Sequence, residues 1–486
     1  MARIKKHRLK QIIIRISLFV IIFALVFFGI QFFTKTGIFR IPGVVYYDES
    51  LSAEELAILE NIFTEEIDLD KDVTISAESS HEKPSLEEGE FLYSVKVAIA
   101  DFYDTRENVS EFAENEYMVI PIDDLQFNQK LLTIDGEYYL DTFESGAIFR
   151  KIKFESEKYQ EEIAPLVEEA FTKEFPEKSS VLSFAQTGVT ALSRGMNQKL
   201  ASVGGDATYF AENIKEYLSS FDLTHTSNES SFTDFANSNN ICSDKRFINT
   251  LLAIGLDIVE LTGNHNQDCG DQAAIESIDA YNDNNIKTVG GGKSATEAAT
   301  PLIINQKNNN ITFLAYNLST GGATYDNTPG ANQYYEENAV AEINAAKNRG
   351  DFVIVDIQYY ECSAYASTYE DRTCDYANSS AGDQVGFFRH LIDLGADLVI
   401  GTSAHQPQTF ELYNNGAIYY GLGNLFFDQV WWPGTTRSLI LENYFYKNKL
   451  LQTRITPTVY DSSMQTSVMD KETAKWFLNR LISERP

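Results

Sequence analysis

The chain has 486 residues, with 39 Lys+Arg against 70 Asp+Glu, a net charge of −31, and 43% hydrophobic and 13% aromatic residues. That length supports more than one buried core, and the apolar content excludes a disordered chain. So large an acidic excess repels phosphate backbones and excludes sequence-independent nucleic-acid binding.

The acid is absent from the first forty residues, where Arg3, Lys5, Lys6, Arg8 and Lys10 form a basic tail over 1–10. The run 11–33, QIIIRISLFVIIFALVFFGIQFF, follows with Arg15 as its one charge. At 1.5 Å per residue it reaches roughly 34 Å, enough to cross a hydrocarbon core of about 30 Å. It is longer than the apolar region of a cleaved signal and no Ala-x-Ala follows it, so an uncleaved anchor is expected. The basic tail places the amino terminus in the cytoplasm and the bulk of the chain outside the cell membrane.

Residues 40–178 read as a small, acidic α/β or α+β domain with no visible chemistry. Its expected elements are an amphipathic helix over 51–72, a polar loop ESSHEKPSLEEGE, and a strand FLYSVKVAIADFY. Strand-like YMVIPI and LLTIDGEYYL come next, then a helix around 157–175. Beyond 180 short apolar runs alternate with helical stretches. The runs are VLSFAQTG, DIVELTG, IKTVGG, ITFLAYN, FVIVDIQ, DLVIGT and AIYYGLGN, with helices near 209–219, 245–255, 271–284, 335–349 and 382–394. Buried-type strands alternating with helices predict an α/β sheet with its chemistry in the loops that follow the strands. Residues 431–486 add a β-hairpin and a closing helix. The four cysteines fit an oxidising compartment. Local pairing, Cys242 with Cys269 and Cys362 with Cys374, is the simplest of three connectivities.

The sharpest chemical signal is LTGNHNQDCG over 261–270, directly behind the strand DIVE. Asn264 can offer an amide oxygen to a metal, His265 can donate a proton to a leaving oxygen, and Asp268 can orient that imidazole. His7, His81, His225 and His390 have no such surroundings and read as surface or packing residues. VGGGK at 289–293 lacks phosphate-loop spacing and reads as a turn. Trp431 and Trp432 suit a carbohydrate platform or a packed loop.

The GNHxxD pattern resembles the motif of calcineurin-like metallophosphoesterases. The segment 399–429, VIGTSAHQPQTFELYNNGAIYYGLGNLFFDQ, is similar to the carboxyl part of CapA-type capsule and poly-γ-glutamate synthesis proteins, which read GxHPHV…Q and YSLGNFxFD. GVTALSR at 188–194 stands where that family has GDVMLGR, SNES at 227–230 where it has NLE, and DIQYYE at 356–361 where it has HWG. The resemblance covers about 181–430. It implies a metallophosphoesterase-like layered sheet domain there, behind the anchor and the smaller domain.

Three family ligands are replaced, by Val189, Gln358 and Ser403. The implied metal set is therefore Glu229, Asn264 and His405, with Gln358 a weak fourth and Glu361 able to swing in. That set suits one divalent ion (Mn, Mg or Ca) or none, not a tight pair. The implied catalytic pair is His265 and Asp268, and Arg194 is an anion contact for substrate or an ordinary ion pair. The role implied is synthesis or attachment of an anionic surface polymer, with that polymer or capsule-synthesis membrane proteins as partners. Hydrolysis of a phosphoester is the catalytic version. The alternatives are a polymer-binding scaffold that has lost the metal and a nucleotidase-like surface enzyme.

Overall fold

A computed structural model describes residues 45–63, 73–156, 160–171, 175–318, 321–359 and 383–486. The expected anchor at 11–33, Glu361 and the pair Cys362–Cys374 lie outside these residues. Among the described residues no helix is long and apolar enough to cross a membrane. The chain divides into two compact units. Of the described residues, one unit takes those up to 79, 85–93 and 150–173, and the other those in 80–84, 94–149 and 174–486.

In the first unit, the helix Ala53–Ile62 starts at a capping box, with Ser52 and Glu55 satisfying each other's backbone N–H groups. Val45–Tyr47 pairs in parallel with the start of Val73–Glu82. Val73, Ile75 and Ala77 alternate inward onto Leu59, Tyr93, Phe154 and Phe171. That strand runs on through residues expected to form the polar loop at 78–90. Its period-two burial ends at Ala77, so the last residues carry no hydrophobic signal of a strand.

The second unit carries the α/β alternation. Leu182–Thr190, Leu223–Asn228, Ile258–Glu260 and Lys287–Val289 run parallel in one sheet. The hairpin Arg437–Tyr446 and Lys449–Val459 joins it antiparallel to Leu182–Thr190. A second sheet has Asn309–Asn317, Phe352–Gln358, Leu398–Thr402 and Gly416–Tyr419 parallel, with antiparallel edges at Leu302–Gln306 and Phe410–Tyr413.

Alternating side chains sort these strands into layers. Phe184, Leu223, Ile258, Phe313, Ile354 and Ile400 share one core between the two sheets. Ala185 and Val259 face the other way, onto Leu200, Phe210, Leu251 and Ile278 of the helices. On the second sheet Val353, Val355 and Ile357 pack against Ile343 of Glu336–Arg349 and Phe388 of Gln384–Asp393. The result is a mixed α/β fold of two facing sheets with helices outside each. The expected helix near 209–219 is instead a 3-10 turn, Ala207–Ala211, and one helical turn, Lys215–Leu218. LLTIDGEYYL is not one strand: Gln129–Leu131 pairs and Tyr139–Thr142 is helical. The Asp135–Gly136 turn, with φ of 54° and 84°, breaks it.

Candidate functional site: a crevice at the carboxyl ends of both sheets

The parallel strands deliver the expected residues to one place. Glu229 follows Leu223–Asn228, Asn264 lies in the turn after Ile258–Glu260, Gln358 ends Phe352–Gln358, and His405 follows Leu398–Thr402. Gln358 Nε2 donates to Asn264 Oδ1 at 3.1 Å and to Glu229 Oε1 at 3.5 Å. His405 Nε2 stands 3.7 Å from Glu229 Oε2. Glu229, Gln358 and His405 are at most 3% exposed. Glycine makes the close approach possible, since a Cβ on Gly263 would come within 2.7 Å of the Glu229 Cα.

Hydrogen bonds set the orientation of two of these side chains. Thr402 Oγ1 donates to Gln358 Oε1 at 3.3 Å, which turns the Gln358 amino group toward the Glu229 and Asn264 oxygens. Asn424 Nδ2 donates to the Thr435 carbonyl at 3.0 Å, leaving its Oδ1 to accept from His405 Nδ1 at 2.8 Å. His405 thereby turns Nε2 toward Glu229.

The donor set does not fit a two-metal centre, which needs several carboxylates and histidines around bridged ions. Val189 and Ser403 supply no such ligand, and the Gln358 amino group lies between the oxygens of Glu229 and Asn264 that a cation would share. Among the described residues no group of three or more His, Cys, Asp or Glu is placed to hold a metal ion.

His265 and Asp268 form a pair beside the crevice, Nδ1 to Oδ2 at 2.8 Å, with side chains 26% and 41% exposed. Their loop is tied down. Cys269 is bonded to Cys242, and Asn266 Nδ2 donates to the Leu261 carbonyl at 3.0 Å. Among the described residues, Arg194 makes no hydrogen bond to Glu229, Asn264, Gln358 or His405. Its Nη2 donates to Asp428 Oδ1 at 2.5 Å, and its guanidinium lies 4.4 Å from the Phe427 ring centre. That ring also packs on His405, with centroids 5.1 Å apart. Arg194 has φ 51° and ψ −114°, a strained backbone held by Asp428, whose Oδ2 accepts from Gly195 N at 2.9 Å.

Beneath the crevice lies a polar layer that sequence reasoning missed. Gln186, His225, Ser227, Glu260 and Asp356 are each at most 1% exposed. All five alternate with the core residues Phe184, Leu223, Ile258 and Ile354 on the strands Leu182–Thr190, Leu223–Asn228, Ile258–Glu260 and Phe352–Gln358, and so stand on the inter-sheet side. Gln186 Nε2 donates to Asp356 Oδ1 at 2.9 Å, and His225 Nε2 stands 3.5 Å from Asp356 Oδ2. Burial, and then the charge of Asp356, push the Glu260 carboxyl up to about 7. Asn424, Phe427 and Asp428 were also missed as site residues. Their segment GLGNLFFD carried the family resemblance, but nothing in it marked them as supports of His405 and Arg194. The glycine run at 289–293 is a packing device: a Cβ on Gly291 would meet Leu261 Cβ at 2.5 Å.

A family model described as bacterial capsule synthesis protein PGA_cap matches residues 183–429, the stretch that holds every residue of this crevice. The chain belongs to this family. Within it, the chain is 26% identical over 219 residues to the PGA biosynthesis protein CapA of Bacillus subtilis (strain 168), covering 44% of this chain and 54% of that protein. It is 24% identical over 226 residues to the capsule biosynthesis protein CapA of Bacillus anthracis, covering 45% and 52%. The chain thus spans about half the length of the curated relatives it matches. A Staphylococcus aureus structure, provisionally named a 5′-nucleotidase, aligns over 63% of this chain and 58% of its own at 10% identity and a TM-score of 0.37. So low a score bears on neither mechanism nor substrate. As a PGA_cap member, this protein differs from the expected motif at Val189, Gln358 and Ser403.

Proposed function

We propose that this PGA_cap protein serves the synthesis or attachment of a poly-γ-glutamate-type anionic surface polymer, and that its crevice binds rather than hydrolyses. The supporting observation is the Gln358 amino group, which bonds Asn264 and Glu229 directly. An amide N–H pair there satisfies the two oxygens without an ion. The proposal includes the anchor at 11–33 and an extracytoplasmic placement for the rest, with the polymer or capsule-synthesis membrane proteins as partners. A second reading, a one-cation hydrolase, has its own support in the His265–Asp268 pair at 2.8 Å, a geometry suited to proton donation.

One experiment separates them. The full chain in detergent is assayed for bound Mn, Mg and Ca, for turnover of bis(p-nitrophenyl) phosphate, and for binding of poly-γ-glutamate. The binding reading expects polymer retention, no stoichiometric metal and no turnover, with His265→Ala unchanged. Near-stoichiometric metal that disappears in Asn264→Ala, with turnover lost in His265→Ala, overturns it in favour of the hydrolase.

A further inference from the structure

A pocket of about 100 Å3 in the second unit shares no residue with the crevice. Its wall is apolar, built by Phe102, Phe410, Leu478 and Ile482. Two hydrogen-bond donors line it with capacity unspent. Lys130 donates to the Asp104 carbonyl at 2.8 Å, which uses one of the three N–H groups of its ammonium. The Tyr138 hydroxyl is buried and has no hydrogen-bond partner among the described residues. Burial of an unpartnered hydroxyl is costly, and such groups mark positions where an acceptor belongs. Desolvation also lowers the Lys130 pKa, so that amine gains from an anion placed against it.

The other charges around the pocket are already committed, with one exception. Asp104 holds Arg106 through bonds of 2.8 to 3.3 Å. Arg454 lies over the Tyr138 ring at 4.3 Å and is held by Glu442 and Asp141. Glu107 is the exception: it stands exposed on the lining, within electrostatic reach of Lys130. The lining therefore offers a buried hydroxyl, a half-buried ammonium, one exposed carboxylate, and an apolar wall.

We propose that this pocket binds a free α-amino acid with an apolar side chain. Its carboxylate accepts from Lys130 and Tyr138, its ammonium faces Glu107, and its side chain lies on Phe102 and Phe410. A monocarboxylate leaves Glu107 opposed only by Lys130, whose charge that carboxylate then shares, and an amine leaves the Tyr138 hydroxyl without an acceptor. Only the zwitterion answers both ends.

Isothermal titration of the full chain with L-leucine, 4-methylpentanoate and 3-methylbutylamine tests this. Saturable binding of L-leucine is expected, with each single-charge analogue weaker by about tenfold or more, the scale of one charge-assisted hydrogen bond. Lys130→Met should remove L-leucine binding. Glu107→Gln, at an exposed position that leaves folding intact, should bring L-leucine down to the affinity of 4-methylpentanoate. No saturable heat with L-leucine up to about 10 mM, a concentration that detects even weak small-ligand binding, overturns the proposal. So does equal affinity for all three compounds, or a Glu107→Gln protein that still prefers L-leucine.

Discussion

Glu260 offers the most quantitative test of the buried layer beneath the crevice. Its carboxyl is fully buried, shares the layer with Asp356, and has its folded pKa pushed up from 4.5 to about 7. The unfolded chain then loses this proton at lower pH than the folded one. The associated stability is intact below about 4.5 and is lost as the pH rises through 7. Linkage between those two pKa values costs the folded state roughly 1 kcal/mol at pH 5 and roughly 3 kcal/mol at pH 8. Glu260→Gln removes the titration. It keeps an oxygen to accept from Thr262 N, which Glu260 Oε1 does now. The variant should therefore gain roughly 2–3 kcal/mol on the parent between pH 5 and pH 8. Urea denaturation at both pH values, followed by tryptophan fluorescence, measures this. All three tryptophans, Trp431, Trp432 and Trp476, lie in the second unit, so the signal reports that unit. A variant-minus-parent difference that stays constant with pH would refute the argument, because it would mean that Glu260 titrates alike in both states.

Two further outcomes follow from packing and covalent structure. Replacing Cys242 and Cys269 by serine opens a link that closes 27 residues, and should cost about 3.5 kcal/mol on the chain-entropy scale; urea unfolding without reductant reads it, and an unchanged midpoint would contradict it. Gly188→Ala would place a Cβ 2.0 Å from the Gly423 carbonyl oxygen, a backbone atom that also accepts from Val189 N at 2.8 Å. A loss of about 2–3 kcal/mol is expected, the scale of core overpacking, measured by thermal unfolding.

How far the sequence could be read depends on the range of the force involved. Phe352–Gln358, Leu398–Thr402 and the hairpin strand Arg437–Tyr446 were legible because burial on both faces is written in runs of consecutive apolar residues. The gathering of Glu229, Asn264, Gln358 and His405 was legible for a related reason: parallel strands in one fold present their carboxyl ends to a common edge. The short 3-10 turn at Ala207–Ala211 was not, since its residues suit a longer helix and contacts to Phe247 and Leu251 decide where it stops.

The polar layer was beyond sequence reading altogether. Gln186, His225, Glu260 and Asp356 come from four strands, and nothing local says that these polar positions face one another rather than solvent. The sequence by itself determined the α/β character and the strand ends that carry chemistry, because those are properties of residue type and spacing, whereas the reading of Val189 and Ser403 as replaced ligands is what the family resemblance implies. Only the tertiary structure decided that the Gln358 amide lies between Glu229 and Asn264, that Asn424 orients His405, and that Asp428 rather than solvent holds Arg194. These contacts span 94, 19 and 234 residues of sequence, and in each geometry and not periodicity selects the partner.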